Sequence, residues 1–211
     1  MSVHAKQTAN QKWKEAWASR RFRNKLIIGL ITIAAVLSVF PIFFQVIERR
    51  RGVLLHDWVL SMIPAHDVSI FIFLLIWAST LLMLVRFVQD PQILQRFLWS
   101  YISLCLVRMI TIGLFPLEPP EHLIPLADPI ANSFYGTHFV TRDLFFSGHT
   151  ATVFLMALCL KRQSDKGLIF FASLCIGVLV LVQHVHYSID VIAAPFLTAG
   201  VYWLGRKVAD I

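Results

Sequence analysis

Two short polar clusters contain the residues of this chain that are best suited to chemistry. One is Ser147-Gly148-His149-Thr150, at the start of an apolar run, and the other is His186-Tyr187-Ser188-Ile189-Asp190, between two apolar runs. Ionisable groups are costly at membrane depth, so they usually serve function there. Because His186 and Asp190 are four residues apart, a helix or tight turn would bring their side chains together. The carboxylate would then set the tautomer of His186 and make it a nucleophile or base, with His149 as general acid.

Four further residues near these clusters are predicted to bind a substrate phosphate group. Arg108 and Arg142 offer planar forks of donors that match phosphate oxygens, and Asp143 and Ser147 lie between Arg142 and His149. Each residue also has a simpler interpretation. Arg108 could snorkel to the interface or pair with an acid, and Arg142 could be a loop cation touching lipid. Asp143 and Ser147 are typical helix N-caps, and no activating base follows Ser147 at a spacing that would make it a nucleophile.

The histidines have structural alternatives as well. His149 could begin a helix beside a lipid headgroup, and His186 with Asp190 could be a capping pair. His184 forms a His-x-His pattern with His186, but alternate positions of a helix do not share a face, so no metal site is predicted. The remaining histidines have no chemical constellation around them and are interpreted as loop residues: His56, His66, His122 and His138.

The composition indicates a membrane protein. Of the 211 residues, 57% are hydrophobic and 15% charged, whereas a soluble domain has about 25% charged residues. The net charge of +7 does not indicate nucleic acid, because the basic residues flank apolar runs instead of interleaving with aromatics on a polar face. Attraction to anionic lipid explains it better. The cysteines each lie in an apolar run without metal-type spacing and are interpreted as buried apolar residues: Cys105, Cys159 and Cys175.

The apolar runs predict an all-α polytopic membrane protein with six transmembrane helices. At 1.5 Å per residue, most are long enough for a hydrocarbon layer of about 30 Å, although the fourth and sixth are near the lower limit. A basic arm, residues 1–25, precedes a membrane domain over 26–211. In this arm, Trp13, Trp17 and Phe22 favour a helix that lies at the membrane interface, and a disordered arm is the alternative. Pro41 is expected to kink the first span. The predicted spans are 26–47, 68–88, 97–115, 143 or 144–160, 168–186 and 187–204.

The distribution of Lys and Arg predicts the orientation. With six spans, both termini share one side, where the arm, residues 86–96, the turn 161–167 and the C-terminal end together hold far more Lys and Arg than the other side. This excess places the termini in the cytoplasm and the two histidine clusters at the exoplasmic face. The triple arginine at 49–51 is a minority violation. The longest loop, 116–142, is rich in proline and contains Asp128 and Pro129.

At these motifs the chain resembles the type 2 phosphatidic acid phosphatase superfamily, and within it the sphingomyelin synthase-like branch. That branch has a motif like Gly-Asp-x-x-x-Ser-Gly-His-Thr, matched here by residues 142–150 with Arg142 in place of the Gly, and one like His-Tyr-Thr-x-Asp-Val, matched by 186–191. An earlier motif with Arg and Ile-Thr resembles Arg108 through Thr111. The similar region spans about 97–200. Val180 stands where the phosphatases have Arg, which favours the transferase branch, while Pro195 stands where that branch usually has an aromatic residue.

The resemblance implies a six-helix fold and a ping-pong transfer of a phospho-alcohol headgroup through a phosphohistidine. His186, oriented by Asp190, would attack a phospholipid donor, and His149 would protonate the leaving diacylglycerol and then activate a ceramide or diacylglycerol acceptor. No cofactor or metal is implied, and the expected partners are membrane lipids. A lipid phosphatase that uses water is the alternative, and a non-catalytic lipid transporter or binder a weaker one. The expected location is a bacterial inner membrane or a plasma membrane.

Overall fold

The computed structural model describes residues 8–126 and 140–210, and the regular structure in these ranges is helical. Five of the described helices are long and apolar enough to cross a membrane, and a sixth apolar helix, Gly148–Cys159, has 12 residues. The predicted all-α, polytopic architecture is therefore confirmed. The described helices are α1 (Ala9–Ala18), α2 (Arg20–Arg49), a 3₁₀ turn (Leu60–Met62), α3 (Ser69–Gln89), α4 (Pro91–Leu114), α5 (Gly148–Cys159), α6 (Gln163–Val182) and α7 (Ser188–Asp210).

Local capping chemistry decides where several of these helices begin. Thr8 forms a capping box at α1, and the Ser19 side chain accepts from the backbone of Phe22 at the start of α2. The arm predicted over 1–25 therefore contains a helix and the first turns of α2. Between α3 and α4 only Asp90 is non-helical, because its side chain caps α4 and Pro91 suits the first helical position. The predicted spans left residues 89–96 between them as a turn, and that prediction is wrong for this reason.

The fourth predicted span is shorter than expected and lies at the centre of the bundle. It begins at Gly148 and not at 143 or 144, since Ser147 is its N-cap. Its side chains pack against α4, α6 and α7, and Ala151, Val153 and Leu155 are fully buried. A helix enclosed by other helices presents little surface to lipid. By contrast, α2 is peripheral, exposes apolar residues such as Ile31 and Ile42, and continues as helix through Pro41.

The end of the bundle that contains α1 and the C-terminal end of α7 is held by ion pairs and by bonds to helix ends. Arg86 pairs with Asp165 at 2.8 Å, Arg96 with Asp210 at 2.8 Å, and Lys161 with Asp90 at 2.6 Å. The indole of Trp13 donates to the carbonyl of Val88 at 2.8 Å, which ties α1 to α3. The segments that the span count assigned to one side therefore meet at one end; which side of a membrane this is stays a prediction.

The opposite end is built from the segments around residues 48–69, 115–126 and 140–147. Val53 and Leu117 form a parallel bridge, with the Val53 N–H donating to Pro116 at 2.9 Å. Arg50 donates to the carbonyls of Ile112 and Gly113, at the C-terminus of α4, where a cation is favoured by the helix dipole. This bond explains one member of the arginine cluster that breaks the charge rule. Asp128, Pro129 and His138 lie outside the described residues.

Candidate active site

His186 and Asp190 lie side by side where α6 turns into α7. α6 ends at Val182 and not at 186, because His184 adopts a φ of 57° and turns the chain. Asp190, in the first turn of α7, accepts from His186 Nδ1 at 3.3 Å and from the Tyr187 N–H at 3.0 Å. Both side chains are buried. The contact expected from the four-residue spacing is therefore present, and it leaves Nε2 of His186 as the nitrogen with a lone pair when Nδ1 is protonated.

His149 lies in the first turn of α5 and faces His186. The centroids of the two rings are 6.5 Å apart. The ring of Phe73 from α3 packs edge-to-face against His149, with 6.3 Å between the ring centroids. The start of α5 is fixed to the start of α7 because the Ser147 N–H donates to the carbonyl of Asp190 at 3.2 Å. The structure thus brings together the three residues predicted to be catalytic. Such a pair can give and take protons on opposite sides of one small group.

Arg108 reaches this region from α4 and is held by a glycine and an acid. Its guanidinium pairs with Asp143 and lies 5.9 Å from the centroid of the Phe146 ring. A Cβ at Gly148 would be 1.4 Å from Nη1 of Arg108, so the guanidinium occupies the space that any larger residue would need. Asp143 is the sole hydrogen-bond acceptor of this guanidinium among residues 8–126 and 140–210. Nε of Arg108 is buried without a hydrogen-bond partner in the same ranges, and of the two terminal nitrogens only Nη2 makes a hydrogen bond there, to Asp143. The remaining donors of Nη1 and Nη2 therefore have no competing acceptor in these ranges.

Arg142 is engaged much more fully than Arg108. Its Nε and Nη2 donate to Glu118, its Nη1 donates to the carbonyl of Glu48, and its backbone N–H donates to the Glu48 carboxylate at 3.2 Å. These bonds join the end of α2 to the segments on both sides of the long loop. Arg142 thus has a structural role here, and its role as a phosphate ligand stays a prediction.

Ser147 and Asp143 were both candidates for the N-cap of α5, and the structure gives that role to Ser147. The Ser147 side chain accepts from the Thr150 N–H and lies 3.1 Å from the Thr150 hydroxyl, fully buried. Ser147 is therefore the N-cap of α5, as one of the two interpretations predicted. Asp143 does not cap this helix, since it pairs with Arg108 instead. Phosphate binding by these two side chains stays untested.

Comparison with known proteins supports the same region. Residues 142–207 match the family model described as PAP2 superfamily C-terminal. The predicted resemblance is confirmed. Over 84 residues the chain is 33% identical to phosphatidylcholine:ceramide cholinephosphotransferase 2 of Homo sapiens. It is 31% identical to phosphatidylcholine:ceramide cholinephosphotransferase 1 of Homo sapiens and of Gallus gallus, also over 84 residues. Each match covers 37% of this chain but only 20–23% of the relative. The chain thus spans about a fifth of the length of these curated relatives, and no solved structure matches it.

The PAP2-like region contains His149, His186 and Asp190, whereas Arg108 lies before it. Backbone and side-chain groups from outside this region bind side chains of the turn before α7. The Tyr187 hydroxyl donates to the carbonyl of Glu118 at 2.9 Å. The fully buried Gln183 donates to Ser69 at 2.7 Å and accepts from the Val68 N–H at 3.2 Å.

His184 is a structural residue of the same turn. One ring nitrogen lies 2.9 Å from the carbonyl of Glu121 and the other 2.8 Å from that of Ile63. Both nitrogens thus contact backbone carbonyls, one in the segment after α4 and one in the loop before α3. This is a structural role, which differs from the metal binding that a His-x-His pattern with His186 can indicate. Sequence inspection missed these bonds of Tyr187, Gln183 and His184 because their partners are 63 to 121 residues away along the chain.

The pKa values of two carboxylates, Asp57 in the loop before α3 and Glu118 in the segment after α4, are lowered by the hydrogen bonds they accept. Burial raises the pKa of the Asp57 carboxyl, but hydrogen bonds from the side chain and backbone of Ser188, with those from Leu60 and Val59, outweigh it and lower the pKa overall. The pKa of Glu118 is lowered by the Gly52 N–H and by Arg142. Neither residue was singled out by its motif. The only signal in the sequence was an acid in a loop predicted to lie at the same membrane face as the histidines.

Proposed function

We propose that this protein is an integral membrane lipid headgroup phosphotransferase of the sphingomyelin synthase-like type. The observation that carries the proposal is the facing pair of histidines, His149 and His186, with Asp190 behind the second. Phosphoryl transfer through a covalent intermediate needs a nucleophile and a proton donor on opposite sides of one phosphorus atom. The cholinephosphotransferase relatives support lipid substrates, a phosphatidylcholine-like donor and a ceramide-like acceptor.

In the first half-reaction, Nε2 of His186 attacks the phosphorus of the donor phosphodiester. An N–P bond forms while the bond between phosphorus and the diacylglycerol oxygen breaks, and His149 gives its proton to that leaving oxygen. Asp190 keeps the proton of His186 on Nδ1 and stabilises the positive charge that develops on the ring. The products are free diacylglycerol and a phosphohistidine that carries the headgroup.

In the second half-reaction, the lipid acceptor regenerates the enzyme. His149, now neutral, takes the proton of the acceptor hydroxyl, whose oxygen attacks the phosphorus. The N–P bond breaks and its electron pair returns to Nε2 of His186. Diacylglycerol or ceramide would both fit this step, because each offers a primary hydroxyl at the membrane surface. Water in the same position would give a phosphatase instead.

Arg108 is the residue that we assign to the phosphate oxygens. Its donors are mostly free of other acceptors among the described residues, it is anchored by Asp143, and it lies against the backbone at the start of α5, which also carries His149. A fixed cation lowers the barrier because it stabilises charge that grows in the transition state.

The distribution of Lys and Arg favours cytoplasmic termini and an exoplasmic site, in a bacterial inner membrane or a plasma membrane.

The test is a product assay in liposomes that contain the purified protein. Phosphatidylcholine, phosphatidylethanolamine and phosphatidylglycerol serve as donors, fluorescent ceramide and diacylglycerol as acceptors, and phosphatidic acid as a phosphatase substrate. Mass spectrometry should find an acceptor that has gained a phospho-alcohol headgroup, with its formation abolished in His149→Ala and His186→Ala. His66→Ala is the matched control, because this histidine is exposed and, within residues 8–126 and 140–210, hydrogen-bonds only through its backbone N–H, to Val182.

Two results would overturn the proposal. Release of phosphate from phosphatidic acid without headgroup transfer would make the protein a lipid phosphatase. Formation of no product from any donor, by protein that is folded and inserted, would point to a lipid transporter or binder. Acid-labile, base-stable phosphate on His186 after incubation with a donor alone would give independent support for the covalent step.

A further inference from the structure

Asp57, in the loop between α2 and α3, holds the first residue of α7. One carboxylate oxygen accepts from the Ser188 N–H at 2.6 Å, and the Ser188 hydroxyl donates to the same carboxylate. The carboxylate also accepts from the N–H groups of Val59 at 3.0 Å and Leu60 at 3.2 Å. Asp57 therefore fixes its own loop and the start of α7 with one side chain, across 131 residues of sequence.

The N-terminus of α7 lacks a cap of the usual local kind. The residue before the helix is Tyr187, whose side chain is directed to Glu118 and Leu55, so it does not accept from the first turn. The Tyr187 N–H is satisfied by Asp190 from inside the helix and the Ser188 N–H by Asp57 from outside it. Because the first N–H groups of a helix have no intrahelical partner, removing Asp57 would loosen this turn.

That turn sets the geometry of the histidine–carboxylate pair. Ser188 lies midway between His186 and Asp190, and the bond from Nδ1 of His186 to Asp190 is already long at 3.3 Å. Hydrogen bonds weaken steeply beyond about this length. A small rotation of the first turn of α7 would therefore break the bond that orients the nucleophile, while the buried core of the bundle would stay in place.

We infer that Asp57 is a positioning residue for the His186–Asp190 pair, acting from a different loop through Ser188. The inference rests on the proposed function, since it assigns to Asp57 an effect on the same transfer. Asp57 acts through the helix start and does not touch the phosphate group. The carboxylate is buried in part and fully engaged by its four donors.

The experiment compares Asp57→Ala and Ser188→Ala with Asp67→Asn in the liposome assay. Asp67 is a matched control: it lies in the same loop and accepts from the N–H and hydroxyl of a serine, Ser69, at the start of α3. Asp57→Ala should lower kcat by about a hundredfold, the effect of roughly 1 Å of misplacement, with KM changed less than threefold. Ser188→Ala, which keeps the N–H bond, should lower kcat by a smaller factor, and Asp67→Asn should leave kcat within about twofold.

A double-mutant cycle separates positioning from a general loss of stability. In an Asp190→Asn background, where the carboxylate that Asp57 positions is already absent, Asp57→Ala should lower kcat less than threefold further. A full additional hundredfold loss there, or kcat unchanged in folded Asp57→Ala, would overturn the inference. If Asp57→Ala does not fold, an unchanged kcat in Ser188→Ala overturns it. Full activity of His186→Ala would overturn the proposed function itself, which is a distinguishable result.

Discussion

Replacing Gly148 by alanine should disable Arg108 without unfolding the protein. The new Cβ would lie 1.4 Å from Nη1 and 2.4 Å from Cζ of Arg108, whereas non-bonded heavy atoms settle near 3.5 Å. The guanidinium must therefore move by about 2 Å. It is the far end of a flexible side chain, and φ at Gly148 is not in the left-handed region, so the backbone can accept alanine. The effect should fall on the site and not on the fold.

The size of the effect follows from the role assigned to Arg108. Losing one preorganised donor to a developing negative charge costs about 3 to 4 kcal/mol, or a loss in kcat of about 10² to 10³. Gly148→Ala should therefore lower transfer in liposomes by at least a hundredfold, with the melting temperature in detergent within a few degrees of wild type. Gly113→Ala is the control, because nothing lies within 4 Å of the Cβ it would add on the same helix as Arg108.

The same variant can refute the reasoning in two ways. Activity within about twofold of wild type would mean that the position of the guanidinium does not matter to the reaction. The second test combines Gly148→Ala with Arg108→Ala. If the glycine acts only through the arginine, adding Gly148→Ala to Arg108→Ala should change kcat less than threefold, since the steric conflict has gone. A further large loss would show that Gly148 serves another purpose.

Three other predictions concern the His186–Asp190 pair, the packing of α7 against α4, and the loop that contains Asp57. Asp190→Asn should lower kcat by about 10³ to 10⁴ in the transfer assay, because the amide no longer holds the neighbouring imidazole in the productive tautomer. Gly205→Ala should lower the melting temperature markedly, because its Cβ would lie 2.4 to 2.6 Å from Ser100 backbone atoms that cannot swing away; Gly200→Ala, with open space, should not. For Asp57, burial raises the pKa of the carboxyl, but the hydrogen bonds lower it overall. The stabilisation from its ionised form is therefore fully present above about pH 4 and is lost as the pH falls through the lowered pKa. In detergent, the free energies of unfolding of wild type and Asp57→Asn should differ at neutral pH and converge below that pKa.

The helical spans and the contact between His186 and Asp190 were predictable because both depend on local patterns. An apolar run of about 20 residues by itself predicts a helix that is buried or exposed to lipid. A spacing of four residues predicts the contact between His186 and Asp190 independently of how the other helices pack. The convergence with His149 needed only the count of spans, which sends the start of the fourth and the end of the fifth to one side. Boundaries were less predictable, since single caps such as Ser147 decide them.

The anchoring of the site was not predictable from one sequence. Asp57 reaches Ser188, and Arg142 reaches Glu48 and Glu118, over separations of 24 to 131 residues. The amino-acid composition of a loop does not predict which distant backbone groups its side chains will hydrogen-bond. Arg142 illustrates the difficulty, because it has the right chemistry for phosphate and the right predicted membrane face. Its donors nevertheless meet carboxylate and carbonyl oxygens of this chain.

The contrast between two arginines suggests how a protein of net charge +7 can direct a phosphate group to one place. Arg142 is engaged by Glu118 and by Glu48, so binding phosphate there would break bonds already made. Arg108 has one carboxylate to orient it and donors to spare among the described residues. A bound phosphate at Arg108 gains charge-assisted bonds at little cost in existing ones. Because Gly148 lets that guanidinium lie against the helix that carries His149, the proposed anion site and the proposed proton donor lie at the same turn.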